Sequence, residues 1–566
     1  MYMDFRVEIP KVKGKVYRNK IKGTVYVTYE FGTVYHPDRK YNVPQRTTIG
    51  KVCEDDPEKM YPNPSFVKYF PEVDLPKEKE VSQRSCCIRV GSHIVLEKII
   101  RDYRLDEMLG RIIGKDSDLF LDLASYSIVC ENNAGQYYPD YAYNHALFTT
   151  GMRIYSDSKV SDFLQEMTRD QSVGFLNEWN VNRDHREKIY ISYDSTNKKC
   201  QAGDIEMVEV GYSKDKEKVP VVNYSIAYDA KNREPLFYEE YPGSIVDISQ
   251  LQQMLEKARA YGYRNVGFIL DRGYFSQSNI RHMDSLGYSF VIMVKGMKDL
   301  VSSLVMDQKG SFEDVRSCHI AEYDVNGKTV KGRLYASDTD DRYFHIFYNS
   351  AKHSSERKDL EGKIDRMKTL LKKLQGKYGK IDSSYEKYFN LIYADAGTDK
   401  QQFLMAQEKE EVVEREIKLC GYFCIVTSEK MSAKDALLLY KSRDASEKLF
   451  RGDKSYLGNR SFRVTTDERL ESKIFIEFVA LIIRNKFYTY LKDLMVKEVR
   501  RDNYLTVPAA IKELDKIEML RGSDGVYRLD HSLTAVQKTI LNACGIDHIR
   551  VKNAINRITD GLRAGE

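Results

Sequence analysis

A run of four side chains between residues 440 and 454 has types and a spacing that suit phosphate chemistry. Tyr440, Arg443, Glu447 and Lys454 are separated by two, three and six residues. Read as one helix, this spacing places them on one stripe, and a carboxylate flanked by cations and a phenol suits a metal ion beside a phosphate. The simpler interpretation, a solvated helix face with charge pairs four residues apart, stays open for this segment taken alone.

Two aspartates follow short apolar runs that read as β-strands. Asp194 comes directly after KIYISY (188–193), and Asp271 comes directly after NVGFIL (265–270). Turn-forming residues follow both runs, so we expect each aspartate at the carboxyl end of a strand. Open α/β sheets hold their functional sites at that edge. An Asx turn or a helix N-cap stays an open alternative for each aspartate taken singly.

The elements around the two aspartates are expected in the order β-β-β-α-β-α-β. The strand before Asp194 is followed by a hairpin, a helix, the strand before Asp271, a second helix and a last strand, at 219–229, 233–243, 248–263, 265–270, 276–285 and 288–296. Three antiparallel strands followed by a helix and a strand beside the first form the ribonuclease H arrangement, a mixed α/β sheet flanked by helices. That arrangement would bring Asp194 and Asp271 to neighbouring strand ends.

Three motifs in this order resemble a known family. The DST at 194–196, the DRGYFS at 271–276 and the Y-x2-R-x3-E-x6-K segment at 440–454 are similar to motifs of the DDE transposases of bacterial insertion sequences, in the group with the Tyr-Arg-Glu-Lys signature. The resemblance covers roughly residues 90–495. It includes the apolar segment CGYFCIVTSEK at 420–430 before the signature and RVTTDERLESKIFIEFVALII at 463–483 after it.

The resemblance implies a catalytic site with two Mg²⁺ ions, for which Mn²⁺ would substitute. It assigns the metal ligands to Asp194, Asp271 and Glu447, because Mg²⁺ prefers hard oxygen ligands and three carboxylates can hold a pair of ions. One ion would activate water, and later the freed 3′-hydroxyl, for in-line attack. The other ion would stabilise the leaving oxygen.

The resemblance also implies that Tyr440, Arg443 and Lys454 grip DNA phosphates next to the cut, where Arg can bind bidentately and Lys acts as a point charge. Gly452 bears on this expectation, because a glycine in a helix interior costs about 1 kcal/mol. An end of the helix before Lys454 is therefore an open alternative.

The function implied by the resemblance is that of a transposase that cuts DNA at its element's ends and joins them to target DNA. Its partners would be the transposon ends, the target DNA and a second copy of the chain in the DNA complex, with no membrane and no small-molecule substrate. Two alternatives stay open. One is a nuclease of the same fold, and the other is a recruited DNA-binding protein without catalysis.

Composition is consistent with this function but does not select it. The chain has 566 residues, too many for one hydrophobic core, and a net charge of only +5. A DNA-binding surface must therefore come from local clusters of cations. The apolar run at 474–483 is short and carries Glu477, and the nine cysteines lack zinc spacing. We expect a cytoplasmic protein, associated with the nucleoid when bound to DNA, with free thiols.

Six regions are expected along the chain. They are a small β-rich module that contacts DNA (1–80), a helical domain for DNA ends or dimer contacts (90–182), a first part of the ribonuclease H-like core (186–298), an α+β insertion (299–418), a second core part with the catalytic helix (419–495) and a helical tail (496–566). Cations interleaved with tyrosines between residues 11 and 26 suit DNA contact, although a solvated sheet edge explains them equally well.

The insertion at 299–418 is expected to contain a hairpin and two helices. Asn326-Gly327 reads as the hairpin turn. A heptad-like stripe then follows, and a second helix is expected at 404–419; the stripe consists of Leu360, Ile364, Met367, Leu371 and Leu374. Either the helices pack as an arm on their own domain, which we favour, or they pair with another chain.

Overall fold

The computed structural model describes residues 2–3, 5–21, 23–53, 56–73, 84–183, 187–200, 205–212, 218–245, 247–294, 298–398, 400–457, 461–498, 504–522 and 526–565. Of residues 39, 212, 247–249, 298, 446, 450–451, 454 and 564–565 it describes the backbone alone. The chain divides into two units, Met1–Val81 and Ser82–Glu566. Each unit has a hydrophobic core of its own.

The first unit is an antiparallel sheet covered by one helix. Its elements are β1 (Val7–Glu8), β2 (Val16–Ile21), β3 (Thr24–His36), β4 (Tyr41–Val52), β5 (Lys59–Pro62) and α1 (Pro64–Tyr69), with strand order β1-β5-β4-β3-β2. Val27, Ile49, Met60 and Phe66 are fully buried in its core. The β-rich structure expected of residues 1–80 is therefore present among the described residues, although β3 and β4 are long strands.

The second unit begins with a short strand and a group of helices. These are β6 (Cys87–Arg89), α2 (Gly91–Asp102), α3 (Leu105–Ile112), α4 (Ser117–Cys130), α5 (Tyr138–Asn144), α6 (Asp157–Glu166) and α7 (Arg169–Val181). Trp179 of α7 is fully buried and donates its indole hydrogen to the Pro235 carbonyl, at 2.9 Å. The helical pattern predicted between residues 91 and 182 is therefore present, and it packs directly on the following strands.

The next elements match the predicted β-β-β-α-β-α-β order, with one extra short strand. They are β7 (Ile189–Cys200), β8 (Glu209–Tyr212), β9 (Lys218–Asp229), β10 (Glu234–Pro242), α8 (Asp247–Ala260), β11 (Val266–Leu270), α9 (Gln277–Ser285) and β12 (Ser289–Met293). Ser276 caps α9 by accepting a hydrogen bond from the Asn279 amide, at 3.2 Å. The turn and cap signals in this part of the sequence therefore locate the elements correctly.

The chain continues through the region predicted to be an insertion and then through the signature segment. The elements are α10 (Lys298–Gln308), β13 (His319–Ile320), β14 (Val325–Gly332), β15 (Arg342–Tyr348), α11 (Ser350–Leu374), β16 (Phe389–Ala394), β17 (Gln402–Glu408), α12 (Glu410–Leu419), β18 (Tyr422–Thr427), α13 (Ala433–Lys441), α14 (Asp444–Tyr456) and β19 (Ser461–Phe462).

One long helix and a small tail complete the second unit. They are α15 (Asp467–Lys497), α16 (Val507–Leu514), β20 (Glu518–Arg521), β21 (Tyr527–Leu529), α17 (Ala535–Ala543) and α18 (His548–Gly565). Residues on all sides of α15 are buried, which identifies it as the central helix of the unit. No helix among the described residues has both the length and the hydropathy that crossing a bilayer requires.

A large mixed sheet organises the second unit. Across the described residues it has eleven strands, with the path β10-β9-β7-β11-β12-β18-β15-β14-β13, while β8 pairs with β9 and β19 pairs with β7. The pairs β7–β11, β11–β12 and β19–β7 are parallel, and the others are antiparallel. The fold is therefore a mixed α/β fold, in which strands of the predicted insertion extend the same sheet.

Three local predictions are wrong. Asn326 and Gly327 lie inside β14, opposite Tyr348 and Phe347, because the chain turns at residues 321–324 with Asp324 at a positive φ. The helix predicted at 404–419 begins only at Glu410, since the preceding residues pair with β16. The tail is not wholly helical, because β20 pairs with β6. In each case a distant strand overrides local preference.

The heptad-like stripe of α11 is covered within the chain. Ile364 and Leu371 are buried against Phe389 and Phe403 of β16 and β17 and against Val413 of α12. This small core is separate from the core of the large sheet. Of the two arrangements left open by the sequence, the structure therefore has the arm that packs on its own chain.

One buried acid makes the stability of the fold depend on pH. Burial, and then the charge of Glu471, raises the pKa of Glu240 in β10 to about 8, from an ordinary value of 4.5. The folded protein therefore holds a proton that the unfolded chain releases between these pH values, so the free energy of unfolding falls as pH rises through this window. We expect Glu240→Gln to stabilise the protein at pH 8 by about 4 kcal/mol, because each pKa unit corresponds to about 1.4 kcal/mol. At pH 4 the variant should match the wild type.

Denaturant unfolding of wild type and Glu240→Gln at the two pH values measures this difference. An equal effect of the substitution at pH 4 and pH 8 would mean that it does not act through the proton.

Candidate active site

The pairing of β7 with β11 places Asp194 and Asp271 beside each other. The two strands run parallel, with Tyr193 opposite Leu270, and each aspartate is the next residue along its chain segment. Neighbouring strands lie about 4.8 Å apart. The predicted juxtaposition of the two aspartates is therefore present in the structure.

The two aspartates differ in backbone context. Asp271 follows the end of β11 and accepts a hydrogen bond from the Arg272 amide, at 2.7 Å. The prediction that Asp194 ends its strand is wrong, because β7 continues to Cys200, paired with β9 as far as Lys199. The hydrogen-bonded ladder with β9 holds these turn-forming residue types in an extended conformation.

The signature segment forms two helices instead of one. The helix α13 ends at Lys441, and α14 begins at Asp444, with Ser442 and Arg443 in a turn between them. Both turn residues keep right-handed helical dihedral angles. The backbone therefore stays in the right-handed helical region through the turn.

Arg443 joins the second aspartate to the signature glutamate. One guanidinium nitrogen lies 2.9 Å from Asp271 Oδ1, and the other lies 2.5 Å from Glu447 Oε1. The guanidinium also lies 5.4 Å from the ring centre of Tyr440. Asp194, Asp271, Glu447 and Arg443 are called the carboxylate cluster below.

The electrostatics of the cluster centre on this guanidinium. Burial disfavours the charged form of Arg443, but Tyr440, Asp271, Glu447 and Asp194 favour it more strongly, so its pKa is raised above the ordinary value. Burial raises the pKa of Tyr440 to about 12, so this phenol is neutral and able to donate a hydrogen bond at neutral pH. The cluster therefore holds a permanent cation among acidic groups.

The acidic side chains of the cluster remain open to solvent. Those of Asp271 and Glu447 are 41% and 46% exposed, whereas that of Arg443 is only 14% exposed. An ion or a substrate can therefore reach the carboxylates from outside.

The carboxylate oxygens suit a hard divalent cation such as Mg²⁺. Within the described residues, however, no three His, Cys, Asp or Glu side chains are arranged closely enough to hold an ion as they stand. Arg443 lies between two of the acids. The donor set fits the cation chemically, and the guanidinium of Arg443 lies beside two of the carboxylates that would hold it.

Lys454, the last residue of the signature, lies on α14, but its side chain is outside the described part of the structure. The helix does not end before Lys454, because α14 continues to Tyr456. Gly452, two residues earlier, is buried against α15. A Cβ atom at Gly452 would lie 2.6 Å from an Arg484 nitrogen. The glycine that weakens the helix therefore permits its close packing.

A second group of charges lies further along the elements that carry the cluster, β7 and α14, and was not predicted from the sequence. Lys198, Asp453 and Glu477 are almost completely buried, and the ammonium lies 3.0 Å from an oxygen of each acid. Glu477 stands out in the sequence only as a charge within an apolar run. These three residues are called the buried charge triad below.

A groove of about 1200 Å³ borders the cluster at Tyr440 and Arg272. Its walls carry further cations and acids, which are Lys352, Lys387, Arg415, Lys441, Asp299, Glu356, Glu411 and Glu416. Because charges of both signs line the groove, its walls alone do not define an anionic ligand.

The candidate site therefore lies on a large mixed sheet, where Asp194 and Asp271 come from neighbouring strand segments and Glu447 comes from a helix. A family model described as "Transposase DDE domain" matches residues 186–483, which is more than half of the chain. The chain therefore belongs to the transposase DDE domain family.

Two solved transposase structures show distant similarity. A piggyBac transposase synaptic complex with hairpin DNA matches 72% of this chain and 65% of its own, with 8% identity and a TM-score of 0.32. A Mos1 transposase paired-end complex with the left transposon end matches 28% of this chain and 54% of its own, with 13% identity and a TM-score of 0.14. The match thus spans less than two thirds of the length of each of the two solved transposase chains. No curated protein sequence matches.

Proposed function

We propose that the chain is a DNA transposase that cleaves DNA at the ends of an insertion sequence and transfers those ends into target DNA. The observation that carries this proposal is the grouping of Asp271 and Glu447 around Arg443, beside Asp194 of the neighbouring strand. Membership of the transposase DDE domain family supports it. The spacing of the signature supports the group of insertion-sequence enzymes with Tyr-Arg-Glu-Lys.

The proposed core is ribonuclease H-like. The strand path β10-β9-β7-β11-β12 supports it, since three antiparallel strands are followed by two parallel ones beside the first. We divide the core into parts at 186–298 and 419–495, with the insertion at 299–418 between them.

The proposed cofactors are two Mg²⁺ ions, or Mn²⁺ in their place, held by Asp194, Asp271 and Glu447. When bound, these ions would stabilise developing negative charge and lower the pKa of the attacking hydroxyl. The exposure of Asp271 and Glu447 leaves room for the waters that Mg²⁺ usually retains.

Three side chains are proposed to bind DNA next to the cut. Arg443 can exchange its pairing with the carboxylates for a bidentate contact with a phosphate, because phosphate and carboxylate present similar acceptor geometry. The neutral hydroxyl of Tyr440 can donate to a phosphate oxygen, and Lys454 would add a point charge. These contacts would align the scissile phosphate with the carboxylates.

Outer parts of the chain are proposed to hold the transposon ends and a second copy. Exposed cations on and before the edge strand β2 support DNA contact by the first unit (1–80); they are Lys11, Lys13, Lys15, Arg18 and Lys20. The helical domain (90–182) and the tail (496–566) would contribute to DNA-end binding and to a homodimer. Such an enzyme would act on cytoplasmic, nucleoid DNA.

Removal of any one carboxylate tests the catalytic proposal. We expect Asp194→Ala, Asp271→Ala and Glu447→Ala each to abolish strand cleavage, because metal ligation is lost, while binding of the ends stays largely intact. Cleavage of a labelled end substrate in Mg²⁺ and a gel-shift assay measure the two properties. Asp359→Ala, an exposed acid on α11, is the matched control.

Retained cleavage in any of the three variants would contradict the assignment. Wild-type cleavage that does not require terminal inverted repeats would instead indicate a nuclease of the same fold.

The proposed phosphate contacts can be tested separately through the salt dependence of DNA affinity. We expect Arg443→Ala and Lys454→Ala to weaken strand transfer and to lower the slope of log affinity against log salt by about one unit each. Titration of the end DNA at several salt concentrations measures the slope, with Lys358→Ala on α11 as the control. An unchanged slope would remove the tested residue from the phosphate contacts.

A further inference from the structure

The buried charge triad connects three elements, two of which also carry residues of the carboxylate cluster. Lys198 comes from β7, Asp453 from α14 and Glu477 from α15. The exposed fraction of each side chain is at most 1%. A group of charges so completely removed from water is tolerated only when the partners stay in contact.

Two of these elements also carry cluster residues. On β7, Asp194 and Lys198 point to the same face, four residues and about 13 Å apart. On α14, Glu447 and Asp453 are six residues and about 9 Å apart along the axis. Contact between Lys198 and Asp453 therefore fixes the place where Glu447 approaches the strand that carries Asp194.

The long helix α15 makes further contacts with α14. Glu477 and Arg484 lie two turns apart on one face of α15, and Arg484 lies 4.9 Å from the ring centre of Tyr456 in α14. Glu477 also accepts a hydrogen bond from Asn133, at 2.9 Å. Because Gly452 allows this close approach, α14 is held by charged contacts along its last turns.

A shift of α14 would break these contacts. Rotation by one residue would move Asp453 away from Lys198 and leave a buried charge without compensation, whereas purely apolar contacts tolerate such shifts more easily. We infer that Lys198, Asp453 and Glu477 are positioning residues, which hold α14 against β7 so that Glu447 reaches the carboxylate cluster. This inference rests on the proposed function.

The test replaces the strand–helix ion pair without leaving a charge alone. In the variant Lys198→Met/Asp453→Ala, one cation and one anion disappear together, and Glu477 keeps Asn133 and the nearby Lys473 as partners. We expect a melting temperature within about 5 °C of wild type. Hydrogen exchange should rise at least about tenfold in residues 444–456 and stay unchanged in 266–270 and 289–293.

End cleavage and Mn²⁺ binding should weaken because α14 is less well held, while the overall fold stays intact. We expect end cleavage to fall about 100-fold, since misplacement by about 1 Å can cost that much, and Mn²⁺ affinity measured by electron paramagnetic resonance to fall at least about tenfold. The control is Arg183→Met/Glu234→Gln. It removes an ion pair of 2.7 Å that lies away from the triad, between the segment after α7 and β10, and is partly buried. It should keep wild-type cleavage and wild-type exchange in 444–456.

Wild-type exchange and cleavage in the folded double variant would overturn the inference. If that variant does not fold, Asp453→Glu decides, because it keeps the charge pair but lengthens one side by a methylene. We expect it to fold and to lose cleavage at least about tenfold, and full cleavage would overturn the inference. If the wild type neither cleaves DNA nor binds Mn²⁺, the transposase proposal fails, while hydrogen exchange still tests the role of the triad in holding α14.

Discussion

The burial of one ammonium group constrains the whole second unit. Lys198 is fully removed from water, and its charge is tolerated because Asp453 and Glu477 both lie 3.0 Å away. An uncompensated ion in such a place would cost several kcal/mol. Since β7, α14 and α15 each supply one member, the central strand, the signature helix and the central helix are fixed relative to one another.

The acids of the family motif are brought together in spite of their mutual repulsion. Strand pairing sets Asp194 beside Asp271, and Glu447 is tied to Asp271 through the guanidinium of Arg443. One cation thereby offsets repulsion that would otherwise spread the acids apart. The result is a site that is ordered by an internal positive charge and still open to the solvent.

Much of the sheet could be predicted from the sequence, because its strands are short, apolar and bounded by turn or cap signals, as at Asp271 and Ser276. These signals gave wrong predictions where pairing with a distant strand determines the local structure. Asn326, for example, was predicted to form a turn but lies in a strand. The resemblance to a transposase family grouped Asp194, Asp271 and Glu447, but it did not predict that Arg443 pairs with two of them. Lys198 could not be predicted, because nothing near it in the chain shows that its partners lie more than 250 residues away. Contacts of that kind are invisible to periodicity.

The arm formed by α11, β16, β17 and α12 begins and ends at adjoining points of the large sheet. Asn349 donates its amide hydrogen to the Gly421 carbonyl, at 3.1 Å, and Tyr348 of β15 pairs with Tyr422 of β18. The arm has its own core, so excising it and joining β15 to β18 by a tight turn would leave an ordinary β-hairpin. The arm is therefore an insertion in the loop of a β-hairpin. At such a position a chain can gain or lose a whole subdomain while the sheet stays unchanged.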